Sequence, residues 1–252
     1  MKYNWNWGIL WQTSADGHTT WIMTLIHGLG WTLLTALCAG VIALLLGSII
    51  GVIRTTPSKW AVRFGNAYVE LFRNIPLLVQ LFLWYFVLPE VVPKAVGDLL
   101  KSMAPPWGSF VPAVIGLGLF TSARVAEQVR AGIQALARGQ GMAGTALGLT
   151  LPQTYRYVLL PMAFRIVLPP LTSEFMNVIK NSSVALTIGL VELTAAARSM
   201  QEFSFQVFEA FTAATAIYVA VTLVVVFGMR WVERKVQVPG LISAGGAPLA
   251  GH

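Results

Sequence analysis

Cysteine is nearly absent from this chain of 252 residues: Cys38 stands alone, which excludes an intrachain disulfide and a cysteine metal site. Charge is also scarce. Asp, Glu, Lys and Arg make up 11% of the residues against 56% hydrophobic ones, and the mean hydropathy is +0.69, which excludes an ordinary soluble domain and calls for a bilayer. His18, His27 and His252 have no metal-ligand spacing, so a zinc enzyme is not expected. There is no Gly-x-x-x-x-Gly-Lys-Ser/Thr run to cradle nucleotide phosphates, so any ATP must be handled by a partner. No Ser, His and Asp set is placed for nucleophilic catalysis, and no cofactor is called for. The first twenty residues lack a basic stretch leading into an apolar run and lack a cleavage site, so they do not read as a secretory signal. Tyr3, Trp5, Trp7 and Trp11 sit there among polar residues, which predicts a segment (1–24) lying along the membrane surface.

What is present is a series of long apolar runs. Trp31 to Ile53 carries no charge and, at about 1.5 Å per residue, covers ~34 Å, enough for a hydrocarbon core of ~30 Å. A second span runs from the Glu70–Phe82 segment to Leu88, with Pro76 suited to a first helical turn because it has no N–H to satisfy. A third starts near Phe110. The apolar run then resumes around Phe164 and reaches Leu190, and Phe211 to Met229 makes a fifth. The expectation is an all-α integral membrane protein of about five transmembrane helices over 25–237, with a disordered tail at 238–252 rich in Gly and Ala. Five spans leave no room for a five-plus-five inverted repeat, which disfavours a secondary carrier of that build.

The net charge of +7 reflects orientation rather than nucleic acid binding, because the cations fall in short loops between apolar runs. Arg54, Lys59, Arg63, Arg73, Arg124, Arg130, Arg138, Arg156, Arg165, Arg230, Arg234 and Lys235 fall on one side. Lys2, Lys94, Lys101 and Arg198 fall on the other, and Lys180 lies within the bilayer. Twelve cations against four predict an outside N-terminus and an inside C-terminus.

Two features point to function. The stretch Ala135–Pro161 lies between apolar regions and carries Gly139, Gly141, Gly144 and Gly148 beside Arg138, Gln153 and Arg156. Glycines permit close backbone approach and the polar residues hold the segment at a watery surface, so it reads as a docking loop, or more blandly as a loop with one short helix. In the fourth span, Ser173, Glu174, Asn177, Lys180, Asn181, Ser182 and Ser183 interrupt the apolar run. Polar groups at bilayer depth are costly when they face lipid, and positions 173, 177 and 180, with 174 and 181 beside them, share one helix face. That face is a candidate pore lining rather than a Glu174–Lys180 catalytic pair.

The loop resembles the cytoplasmic coupling loop of ABC importer permeases, whose pattern is Glu-Ala-Ala, three residues, Gly, and later an apolar-Leu-Pro. Met142 stands at the Glu position, Ala143 and Gly144 at the two Ala positions, Gly148 at the Gly, and Leu159, Leu160 and Pro161 at the close. The run ELFRNIPLLVQLF resembles a motif of permeases for polar amino acids, departing at Asn74 and Ile75. SARVAEQVRAGIQALARGQ resembles them again, from Glu127 and Arg130 to Gly139 and Gln140, and NVIKNSSVALTIGL resembles the bacterial permeases that import glutamate and aspartate.

These resemblances cover Trp31 to Ile242. They imply a type I ABC importer permease fold in the bacterial inner membrane, a partner ABC ATPase docked at Gln140, Met142, Ala143, Gly144, Gly148 and Pro161, a second permease subunit that is either a related chain or a second copy, and a periplasmic solute-binding protein that delivers an amino acid. Arg124, Glu174, Asn177, Lys180, Asn181 and Ser182 are the expected substrate path. Arg124 and Lys180 are each poised either to hold substrate carboxylates or to be satisfied otherwise, Arg124 by Glu127 or Gln128 and Lys180 by snorkelling, by Glu174 or by an acid of a neighbouring chain. The alternative reading is a gated pore or membrane scaffold subunit not coupled to ATP.

Overall fold

Apolar chain in a bilayer must satisfy its backbone hydrogen bonds within each segment, and helices do this. The computed structural model of the chain describes residues 3–236. Its helices are α1 (Trp21–Ile53), α2 (Lys59–Asn74), α3 (Leu77–Val91), α4 (Lys94–Lys101), α5 (Trp107–Gln134), α6 (Arg138–Ala146), α7 (Leu151–Ile188), α8 (Leu193–Ser204) and α9 (Val207–Val236). Among the described residues four helices, α1, α5, α7 and α9, are long and apolar enough to cross a membrane, and α2 with α3 make a fifth if that bent pair is one span. The expectation of about five spans is met. The tail at 238–252 lies outside the described residues.

The centre of the fold is the packing of α1 on α5, and small residues make it close. A Cβ on Gly47 would meet the Ser122 carbonyl at 2.6 Å, and one on Gly51 would meet Val129 at 2.8 Å. Between membrane helices, such contact brings backbones together and gains dispersion energy that lipid tails cannot match. Val125, Val129 and Ile133 of α5 then bury against Ala163, Val167 and Leu171 of α7.

The second span is not one rod. α2 and α3 meet at 100° around Pro76. Proline cannot donate to the preceding turn, so the last carbonyls of α2 need another donor. Gln80 supplies it: its Nε2 donates to the Phe72 carbonyl at 2.8 Å and to the Ile75 carbonyl at 2.9 Å, and the side chain is buried. The glutamine of the Pro-Leu-Leu-Val-Gln run thus closes the bend from beyond the break.

A second device appears twice. Leu83–Val87 and Tyr155–Leu159 are π-helical turns, and each is followed by Leu-Pro, at Leu88–Pro89 and Leu160–Pro161. A wider turn takes up the space where a proline ring would strike the preceding carbonyls and no N–H is offered.

Two element starts differ from the hydropathy reading, and both follow from contacts that hydropathy does not weigh. α1 begins at Trp21, ten residues before Trp31, because Trp21 and Leu25 bury with Ile9, Leu193, Met200 and Ala210. Its entry is set by the turn Ser14–Thr19, where Asp16 accepts from the Thr19 and His18 amides and from two hydroxyls, all of which hold its carboxyl below the usual carboxylate range. α7 begins at Leu151 rather than near Phe164, because Thr150 and Gln153 form a capping box and Pro152 sits where its missing N–H is harmless. The third and fifth spans, α5 and α9, enclose the predicted ones.

The N-terminal residues pack on the start of α9. Tyr3 Oη and the Asn6 amide both donate to the buried Glu209, the latter at 2.6 Å, while Trp5, Trp7 and Trp11 remain exposed. Glu192, before α8, is also fully buried. It accepts from the amides of Thr194 and Ala195 and from Tyr218 Oη of α9, and burial pushes its carboxyl up despite these donors.

Candidate functional site

Two groups of candidate residues are on different parts of the fold. The first is α6, which leaves α5 after Gln134 and returns to α7 at Leu151. Met142 of α6 is 66% exposed, and Leu147, just past its end, is 79% exposed. Gly139 and Gly141 have nothing near the position a Cβ would take. Gly144 is different, because a Cβ there would meet the Thr154 side chain at 2.9 Å, so its small size serves packing of α6 on α7.

Gly148 serves the backbone. With φ +77° it ends α6, its N–H donating to the Thr145 carbonyl while Leu149 N–H donates to the Gly144 carbonyl, each at 3.0 Å. That bond pair is a Schellman cap, and the left-handed residue within it favours glycine. No atom lies within 4 Å of a Cβ added at Gly148, so close packing inside this chain is not its reason. Gln140 is partly covered, Ala143 is exposed, and Pro161 lies within α7, exposed and just past its π-turn. The return to the helical core is tied at Tyr155, whose hydroxyl donates to the Thr55 carbonyl at 2.8 Å, just beyond the end of α1.

The second group surrounds a cavity of about 430 Å³ lined by Arg73, Phe120, Arg124, Glu127, Gln128 and Glu174. Arg124, Glu127 and Gln128 recur at the 3-to-4-residue spacing that places side chains on one face of α5. Arg124 Nε donates to Glu174 Oε2 at 2.9 Å and Gln128 Nε2 to Glu174 Oε1 at 3.0 Å, which joins α5 to α7. Glu174 is therefore the partner of Arg124, where the local reading offered Glu127 or Gln128, and its two oxygens accept from Arg124 and Gln128 rather than from Lys180. Glu127 has its own cations: Arg54 at 2.9 Å and Arg73 at 3.2 Å. Arg54 is buried at the end of α1 and also donates from Nε to Asn66 of α2 at 2.9 Å.

The fourth-span residues divide. Glu174 turns inward to the cavity. Lys180 and Ser173 are exposed, Asn177 and Asn181 are half-buried, and none of these four lines the cavity. Ser182 is buried with its hydroxyl donating to the Ile179 carbonyl at 2.7 Å, which uses its only proton. The cations that line the cavity are Arg73 and Arg124. Arg54, Arg73 and Gln128 do not stand out in the sequence as a site because they come from three elements. The signal available was the Arg-x-x-Glu-Gln spacing in α5.

Residues 43–238 match the family described as the inner membrane component of binding-protein-dependent transport systems. The glutamate/aspartate import permease protein GltJ of Escherichia coli K12 is 48% identical over 95% of this chain and 98% of its own length. A chain in the crystal structure of an amino acid ABC transporter with histidines is 33% identical, with a TM-score of 0.71 over 85% of this chain and 95% of that one. A chain of the MetNI methionine ABC transporter, 20% identical with a TM-score of 0.72 over 90% of this chain and 100% of that one, shares the fold. With helices joined by short turns among the described residues, an exposed short helix between two spans and a match over most of its length, the chain belongs to the family of inner membrane components of binding-protein-dependent transport systems.

Proposed function

We propose that this chain is the membrane subunit of an ATP-driven importer that carries glutamate and aspartate across the bacterial inner membrane. The observation that carries the reading is α6: a short helix held between α5 and α7 that exposes Met142 and open glycines, with Leu147 exposed at its end, in a chain whose sequence has no P-loop. The loop 135–161 is the dock for a separate ABC ATPase, and hydrolysis belongs to that subunit rather than to this one. The N-terminus is outside and the C-terminus inside, in keeping with the distribution of cations. Residues 1–24 lie at the outer membrane surface and 25–237 form the translocating part. A periplasmic solute-binding protein delivers substrate, and a second permease subunit covers the face of α7 that carries Ser173, Asn177 and Lys180.

The residues expected to meet substrate are Arg124 and Glu174, with Asn177, Lys180, Asn181 and Ser182 further along α7. An acidic amino acid brings two carboxylates and one ammonium. A cavity that mixes guanidinium and carboxylate groups suits that set, and Arg124 offers a planar fork for a carboxylate. Closure of the ATPase dimer moves α6, and Tyr155 passes the movement to the end of α1, so that the path opens alternately to each side.

Copurification with the ATPase tests the dock. Coexpressed with its ATPase partner, this chain is expected to bring it down in stoichiometric amount. Gly148→Asn keeps the left-handed turn accessible and should retain the partner, whereas Gly148→Asp has nearly the same shape and adds a charge at the contact, so it should lose the partner. Equal retention by both variants removes Gly148 from the contact, and absence of the ATPase from wild-type preparations favours the uncoupled pore or scaffold.

A further inference from the structure

A second cavity, of about 350 Å³, lies between α3, α4 and the first turns of α5, away from the charged one. Trp84, Tyr85, Glu90, Lys101, Gly108 and Pro112 are among its lining residues. Its chemistry is that of neither a core void nor a water pocket. Glu90 Oε1 and Lys101 Nζ are 2.6 Å apart, with the Lys101 side chain 48% and the Glu90 side chain 65% exposed. An ion pair so exposed is held weakly and opens at little cost. Pro112 has no N–H to give to the Gly108 carbonyl one turn back, so an acceptor is left without its helical donor within the lining. The rest of the wall is largely aromatic and aliphatic, and it includes Trp84, Tyr85 and Phe86 from the widened turn Leu83–Val87.

We propose that this cavity holds the headgroup of a zwitterionic phospholipid bearing a primary ammonium. The ammonium has three N–H donors, and the site offers acceptors at Glu90 and at the Gly108 carbonyl beside aromatic faces that favour a cation. The phosphate then takes Lys101. A headgroup with only a negative charge would leave Glu90 facing it unpaired, and a quaternary ammonium has no N–H for Glu90 or the carbonyl.

Depth separates a lipid from a free zwitterion of the same chemistry. α5 is 28 residues long, or ~42 Å at 1.5 Å per residue, which exceeds a hydrocarbon core of ~30 Å by about two turns in all. Gly108 and Pro112 fall in the first two turns, at the boundary between hydrocarbon and headgroups. Leu83, Phe86 and Val87, exposed on the adjoining surface of α3, continue as an apolar track for acyl chains.

The test uses the full chain in its purified assembly, offered equimolar phosphatidylethanolamine, phosphatidylcholine and phosphatidylglycerol, with retained lipid read by native mass spectrometry. Phosphatidylethanolamine should be retained over each of the others by about tenfold, the ratio that ~1.4 kcal/mol gives, near the low end for a hydrogen bond to a charged group. The preference should vanish in Glu90→Gln, and Leu100→Trp, which fills the cavity, should remove it by a different route. Equal retention of the three lipids by the wild-type chain, which needs no variant to fold, overturns the proposal. So does a preference that survives both substitutions. Displacement of phosphatidylethanolamine by free glutamate, but not by glycerophosphoethanolamine, would assign the cavity to a soluble zwitterion and refute the lipid.

Discussion

Glu127 faces two arginines that differ in burial, and the difference predicts what each is worth. Arg54 is 5% exposed at its side chain and Arg73 is 54% exposed. Removing the carboxylate leaves the Arg54 charge buried with only Asn66 as partner, so Glu127→Ala should destabilise the chain by about 3 kcal/mol. Arg73→Ala removes an ion pair that is half in water and should cost less than ~1 kcal/mol. Thermal unfolding of the two variants in one detergent measures both. A similar loss for each would mean that Glu127 is not holding Arg54 in place. Residue-level function was partly legible in the sequence. The charged turn of α5 could be seen, but the pairing of Arg124 with Glu174 could not, because it joins residues fifty positions apart across two helices.

At the scale of the element, the bend at Pro76 is the least regular feature of the spans and depends on one side chain. Gln80→Leu keeps the volume and the apolar surroundings but leaves the Phe72 and Ile75 carbonyls without their donor. Leaving two partly buried acceptors unsatisfied, at about 1 kcal/mol or more each, should weaken the α2–α3 join more than substitution of any other residue of that motif. Limited proteolysis between Asn74 and Leu77 should speed up in Gln80→Leu. Unchanged cleavage would show that the bend is held by packing alone. Proline gave away the break in the sequence, since its missing N–H acts locally. The angle was not legible, and neither was the early start of α7, because a capping box and a π-turn are set by local hydrogen bonds that a hydropathy window averages out. Gly148 shows the same limit: its place in the loop motif was plain, while its reason, a left-handed cap, needed the backbone.

For the whole molecule, the count of spans followed from composition, and the direction of insertion rests on the cations. With Cys38→Ala as background, single cysteines at Ser58 and Gly141 should be shielded from an impermeant thiol reagent in intact cells, and one at Ser102 should react. Labelling at Ser58 from outside would reverse the orientation and place α6 on the wrong side for an ATPase. Coupling to ATP separates an importer from a pore, and uptake into proteoliposomes measures it. The assembled permease and ATPase are reconstituted with ATP enclosed and with binding protein and labelled glutamate added outside. Glutamate should accumulate inside, and accumulation should stop when either the enclosed ATP or the binding protein is omitted. Glutamate entry at the same rate without ATP would contradict coupling and leave a gated pore in its place.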